Sequence, residues 1–224
     1  MRRLIPWFAA AAFAALAPAQ APNRITLVVE RSDAGAWRAV DPALIFSAND
    51  RIRFRYSGNF SGYLYVMNHS TSGRYEMLFP RQDTGEQNRI EAGREYVVPA
   101  TQGWFRVTGP AGHDVLYWVI SPMSLAGAPM KYTPLPPPPP PGEAPASLRP
   151  RCDDTVFKAR GECVDSSAGP KQLKPDEALP ENLRGLPGAG SRELMFIQNH
   201  NQTIISSPTP LDGPAIYEFR LSHR

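Results

Sequence analysis

The chain has 224 residues, 24 of them Lys or Arg, 21 Asp or Glu and only two Cys. The formal net charge of +3 falls to +1 if Arg2 and Arg3 are removed with a leader, which leaves no electrostatic footprint for nucleic acid. Two cysteines are too few for a disulfide-dense scaffold, and no Cys-x-x-Cys pair suggests a redox or zinc site.

Met1-Arg2-Arg3, an apolar stretch from Leu4 to Ala17 and the small-residue run Ala17-Pro18-Ala19-Gln20-Ala21 predict a signal peptide over residues 1–19. Cleavage after Ala19 is preferred to cleavage after Ala21, which would put Pro22 just beyond the bond. The apolar stretch is shorter than the roughly 20 residues of a membrane span, although an uncleaved anchor is the alternative. No later stretch is long and apolar enough to cross a membrane, so the expected location is periplasmic or extracellular. In that oxidising setting Cys152 and Cys163 are expected to form one structural disulfide.

From residue 22 to 132 the pattern is β, and this segment is predicted to be the core of a sandwich. Ile25, Leu27 and Val29 alternate with Thr26 and Glu30. Arg51 to Tyr56 has a period of two, with Arg51, Arg53 and Arg55 on one face and Ile52, Phe54 and Tyr56 on the other. Tyr63 to Met67 and Val115 to Ile120 are apolar at every position and read as central strands. Turn signals lie between these runs: Ser57-Gly58-Asn59, Ser72-Gly73, Ala92-Gly93 and Gly109-Pro110-Ala111-Gly112.

Residues 133–150 include the six-proline run Pro136 to Pro141. Proline fixes φ and lacks an amide donor, so this segment reads as a polyproline II strap or linker, with a docking motif as the alternative. Residues 151–191 read as a disulfide loop and an irregular segment with one helical turn near Asp176 to Leu183. β pattern returns over 192–224, in Leu194 to Ile197, Thr203 to Ile205 and Ala215 to Leu221. Three short strands cannot bury a core alone. The expected fold is therefore all-β: a single immunoglobulin-like β-sandwich completed by C-terminal strands, with the proline-rich segment as an excursion.

The ordered set Arg51 to Tyr56, Gly62 to Tyr65, Ser72-Gly73, Leu78-Phe79-Pro80, Asn88 to Gly93, Pro99, Pro110-Ala111-Gly112 and Val115 to Ser121 resembles the secreted bacterial domain-of-unknown-function family 4384, over about residues 43–122. Ser191 to Leu194 and Arg220 to Arg224 also look like the tail of exported members. The resemblance implies a β-rich module of bacterial envelopes and supplies no catalytic residues. The same residues have a plain structural reading. Leu78 and Phe79 bury apolar surface, Pro80 ends pairing, and Gly93 suits a turn with positive φ.

Chemistry is sparse. The four histidines are His69, His113, His200 and His223. His113 and Asp114 are adjacent, and adjacent strand residues face opposite ways, so they are not expected to form a catalytic pair. There is no Gly-x-Ser-x-Gly elbow and no His-Glu-x-x-His motif. Asp153-Asp154 is a weak calcium candidate, better read as a solvated turn. No catalytic, metal or cofactor residue is assigned. Arg51, Arg53 and Arg55, with Trp104 and Trp118 as exposed aromatics, form the candidate binding surface, and an anionic headgroup or cell-wall polymer suits the arginines. The expected function is an exported, non-enzymatic binding or scaffolding module of a bacterial envelope, with an envelope protein of unknown identity as partner. The alternatives are a carbohydrate or small-ligand binding domain and an envelope hydrolase with an unrecognised site.

Overall fold

The structure, a computed structural model, describes residues 21–125, 150–152, 162–173, 183, 186, 193–199 and 201–224. The signal segment 1–19, the proline run, Asp153-Asp154 and His200 lie outside the described residues, as does all of the expected helical turn except Leu183. Among the described residues no helix is long and apolar enough to cross a membrane.

Among the described residues thirteen strands follow in chain order: β1 (Asn23–Asp33), β2 (Ala36–Val40), β3 (Arg51–Gly58), β4 (Gly62–His69), β5 (Tyr75–Phe79), β6 (Arg89–Ile90), β7 (Glu95–Val98), β8 (Phe105–Arg106), β9 (Gly112–Ser121), β10 (Gly169–Gln172), β11 (Met195–Asn199), β12 (Gln202–Ser207) and β13 (Ala215–His223). They form two antiparallel sheets. One runs β11-β12-β1-β3-β7, with β2 also on β1 and β8 also on β3. The other runs β10-β13-β9-β4-β5, with β6 also on β4. The C-terminal strands complete both sheets: β12 lies antiparallel to β1, and β13 to β9 along its whole length.

The two inner faces meet in one core. β3 contributes Ile52, Phe54 and Tyr56, facing Leu64 and Val66 of β4, Leu116, Trp118 and Ile120 of β9, and Tyr217, Phe219 and Leu221 of β13. Period-two alternation thus placed the apolar face of β3 inward. The apolar runs of β4 and β9, and most of β13, are buried on both faces. Their outer residues Tyr65, Met67, Tyr117, Val119 and Ile216 form a second cluster with Leu125, Leu173, Leu183 and Leu186.

The family-like residues terminate and bend strands. β5 stops at Phe79 before Pro80 and β7 stops at Val98 before Pro99, where no amide donor remains to extend pairing. Gly93 has φ of 77° in the turn before β7, and its amide donates to the Gly58 carbonyl at 2.7 Å. Gly62 is required for closeness: a Cβ there would stand 2.5 Å from the Ser121 carbonyl oxygen, so β4 and β9 could not approach as they do.

One strand was not legible. The segment 151–191 was expected to be irregular, but within it Gly169–Gln172 pairs with Tyr217 to Arg220 of β13. Its sequence, Gly-Pro-Lys-Gln, has no strand preference, and the open edge of β13 imposes the extended form. Cys152 and Cys163 are disulfide-bonded, with Cα atoms 4.9 Å apart. Main-chain bonds from Ile45 to Cys163 and from Asp165 to Ala43 tie this loop to the chain entering β3.

Candidate functional site

At one end of the sandwich the sheets part. At this end the strand beside β3 changes from β7 to the two-residue β8, because β7 has ended at Pro99. The gap is an open cleft of about 280 Å³. One wall is apolar, made by Ile52, Phe54, Phe105 and Val107 of the first sheet and its loop. The other is largely polar. It places Asn68, Ser70, Glu76 and Asp114 above Leu78, Leu116 and Leu221, with Arg74 and Arg81 alongside and Trp104 and Arg106 at the mouth.

Strand register explains this composition. Asn68 lies across from both Leu116 and Glu76, so it occupies the same inward face as the core residues Leu64 and Val66, four and two positions earlier. The inward face thus continues past the point where the opposite sheet can cover it, and its residues become polar there. Arg81 Nη1 donates to Glu76 Oε2 at 3.4 Å and to the Met77 carbonyl at 3.2 Å. Hydrogen bonding between Arg81 and Asp83 raises the guanidinium pKa further and lowers that of the carboxyl. Asp114 Oδ1 accepts the Thr71 amide at 2.7 Å and lies 3.5 Å from Nε2 of the buried His223. Asn68 Oδ1 is buried and has no hydrogen-bond partner among the described residues.

The sequence-derived surface divides three ways. Trp104 is exposed, lines the cleft mouth and carries the Arg51 guanidinium 4.5 Å above its ring, a cation–π contact. Arg53 and Arg55 do face outward, but both are held by the buried Glu30, whose Oε2 and Oε1 accept from their Nε atoms at 2.6 Å and 3.0 Å. Arg53 also stacks on Trp37, and Arg55 reaches Glu95 at 3.0 Å. The third group is a correction: Trp118 is fully buried and belongs to no surface. Being apolar on both faces, β9 lies in the middle of its sheet, and its even-numbered residues point into the core.

Glu30 is the keystone of that arginine row. Glu30→Gln is expected to cost about 1–2 kcal/mol, because two guanidinium groups lose a charged acceptor in a half-buried setting. Urea unfolding of the variant against the parent measures this, and an unchanged midpoint would show the row to be solvated.

A serine, a histidine and an aspartate also meet, at a place the sequence did not indicate. His113 Nε2 lies 3.0 Å from Asp165 Oδ2 and 3.3 Å from Ser167 Oγ. The adjacent Asp114 is not its partner; Asp165, brought in by the disulfide loop, is. The geometry is that of a clamp. A nucleophile relay needs the hydroxyl and the carboxylate on different ring nitrogens, whereas here both meet Nε2. Ser167 Oγ donates to Asp165 Oδ1 at 2.6 Å, and the Ser167 and Arg151 amides donate to the same carboxylate. Burial alone would raise the Asp165 pKa, but the bonds from Ser167, Arg151 and His113 outweigh it and hold the carboxyl below its usual 3.8. With the folded value depressed, this stability is complete above the unfolded value and is lost as pH falls through the folded one. The urea midpoint of the parent is therefore expected to decline below about pH 4, with a shallower decline for Asp165→Asn over that window.

Among the described residues no group of three or more His, Cys, Asp or Glu side chains could hold a metal ion.

The molecule is thus an antiparallel two-sheet sandwich with an amphipathic end cleft. Residues 45–124 match the family model described as Domain of unknown function (DUF4384), in agreement with the resemblance carried by the strand and turn signature. The match spans β3 to β9, which includes nearly all of the cleft lining. No curated protein and no solved structure matches the chain.

Proposed function

We propose that this protein is an exported, non-enzymatic binding module of a bacterial envelope, and that its ligand site is the end cleft. The observation that carries this reading is the buried Asn68 Oδ1, which has no hydrogen-bond partner among the described residues, in a cleft with one apolar wall and one polar wall. A buried amide oxygen without a partner costs about 1–3 kcal/mol, and a bound ligand offsets that cost. The charged start and apolar run of residues 1–19 support export. The His113 cluster supports a structural rather than a catalytic role, since its serine and carboxylate crowd one ring nitrogen. Binding through the outer faces of the apolar central strands has no basis, because those strands are covered on both sides.

The test is a thermal-shift screen of envelope-derived small molecules and fragments against the parent and Asn68→Leu. A compound that raises the parent Tm, leaves the variant unmoved and is recovered unchanged supports the reading. Equal shifts in both proteins, or chemical turnover of the compound, overturn it.

A further inference from the structure

We propose that the outer face of the first sheet docks on an anionic phospholipid surface, at a site separate from the end cleft.

Strand alternation fixes what that face carries. On β3, Ile52, Phe54 and Tyr56 point into the core, so Arg51, Arg53 and Arg55 point out. The ladder continues the same face across the neighbouring strands. Glu30 of β1 lies opposite Arg53, and Arg106 of β8 lies opposite Arg51. Arg24 of β1 precedes the inward Ile25, and Glu95 of β7 meets Arg55. The outward strand positions thus hold five arginines against two carboxylates, a surplus of three positive charges. The whole chain without Arg2 and Arg3 carries only +1, so positive charge is concentrated here.

Part of that charge is uncompensated. Glu30 holds Arg53 and Arg55, and Glu95 holds Arg55. Arg24, Arg51 and Arg106 make no ion pair with a described carboxylate. Arg51 and Arg106 also stand directly across from one another, a relation in which like charges repel. Phosphate oxygens over the pair would relieve that repulsion, and guanidinium forks match them.

The apolar residues of the face decide between a lipid surface and a soluble anion. Among the described residues the exposed large hydrophobic side chains are Trp104, Met123, Met195 and Ile197. Three of these four share the face. Trp104 precedes the inward Phe105 and lies beneath the Arg51 guanidinium. Met195 and Ile197 flank the inward Phe196 on β11, and Ile197 lies opposite the half-buried Ile204 of β12. Tryptophan settles at headgroup level, and apolar side chains beside cations enter the acyl boundary. A hydrophilic polyanion would take the arginines and leave Met195 and Ile197 in water. The four steps from β11 through β12, β1 and β3 to β8 span about 20 Å, the breadth of a platform for a flat partner.

The experiment is vesicle co-sedimentation of residues 20–224, so that the apolar leader cannot itself enter the bilayer. The vesicles are equal parts phosphatidylglycerol and phosphatidylcholine, with phosphatidylcholine alone and soluble dextran sulfate in parallel. Binding is expected on the anionic vesicles, not on the neutral ones, and it is expected to weaken as salt is raised. Arg51→Ala and Arg106→Ala, both at exposed positions, are expected to weaken it about fivefold each and about twenty- to thirtyfold together. Met195→Thr with Ile197→Thr, which keeps strand preference, is expected to weaken it about tenfold. Lys171→Ala, on β10 of the other sheet, is expected to leave it unchanged. Each variant is checked by its Tm to be folded. Equal binding to neutral vesicles, or a loss with Lys171→Ala as large as with the arginine pair, overturns the face assignment. Binding that ignores the Met195 and Ile197 changes, or dextran sulfate bound as tightly as vesicles, overturns the lipid assignment and leaves a soluble polyanion as partner. No binding to either surface or polymer overturns the proposal while leaving the cleft reading intact.

Discussion

Trp118→Ala is expected to lower stability by about 3–5 kcal/mol, which for a domain of this size is a fall in Tm of roughly 6–20 °C. Trp118 is fully buried and meets three rings from two other strands. It stacks on Tyr217 with centroids 6.0 Å apart and planes 13° from parallel, and it meets Phe54 and Tyr56 edge-on at 5.4 Å and 6.2 Å. Phe54 in turn meets Phe219 edge-on at 5.5 Å. Truncation therefore opens a cavity between the sheets, whose backbones cannot collapse to fill it because each is hydrogen-bonded on both sides. Trp118→Phe separates ring packing from polarity. The indole Nε1 is buried without a hydrogen-bond partner among the described residues, so its removal leaves no described acceptor stranded, and the expected cost is only about 1–2 kcal/mol. Denaturant midpoints of the two variants test the order. Near-equal losses would mean that indole volume alone sets the cost.

Sequence patterning was informative where one residue type has one physical use. The alternation of β3 gave both its faces correctly, because a charged row and an apolar row cannot exchange sides without burying arginines. The proline and glycine signature gave strand ends, since Pro80 and Pro99 cannot donate and Gly62 alone permits the approach to Ser121. It was uninformative where tertiary pairing decides. β10 is extended only because the edge of β13 is open to it, and nothing in Gly169–Gln172 records that. Trp118 was misread as an exposed aromatic because composition does not say whether an apolar strand is covered on both faces. The register that buries it is fixed by β13, which lies about a hundred residues further along the chain.

The cleft was legible only in part. Trp104 and Arg51 were singled out and do meet, and Trp104 lines the cleft, yet the reason given for Arg51 applied equally to Arg53 and Arg55. What separates them is Glu30 on β1, which sits opposite Arg53 in the ladder and beside Arg55. Asn68, Glu76 and Asp114 carried no signal, being ordinary polar residues near turns. A possible hint was that Asn68 continues the inward series Leu64 and Val66 with a polar residue, which is expected only where a core ends or a site begins. The His113–Asp165 contact joins residues 52 positions apart through a disulfide loop, and such a separation is invisible to motif spacing.

Residues 45–124 alone, the span that matches the family model, are expected not to fold. Each sheet depends on a strand from outside that span at its centre. β1 lies against β3 from Ile25 to Arg31, and β13 lies against β9 along its full length. Without them β3 loses its partner on one side, and Leu116, Trp118 and Ile120 lose Tyr217, Phe219 and Leu221 from their own face. The isolated span would keep all of the cleft-lining residues but Leu221 and lose the core that holds its walls apart. The stronger form of the experiment divides the chain in the proline-rich segment and produces residues 22–132 and 150–224 separately and together. Each fragment alone is expected to give an undispersed NMR spectrum, and the pair to co-purify with native-like dispersion, because β1 pairs with β12 and β9 with β13 across the division. Two fragments that fold independently would show the sheets to be separable and would remove the single-sandwich architecture. Failure of the pair to associate would instead place the deciding contribution in the loop closure that the intact proline segment provides, since joining the halves in one chain raises their effective concentration to about the millimolar range.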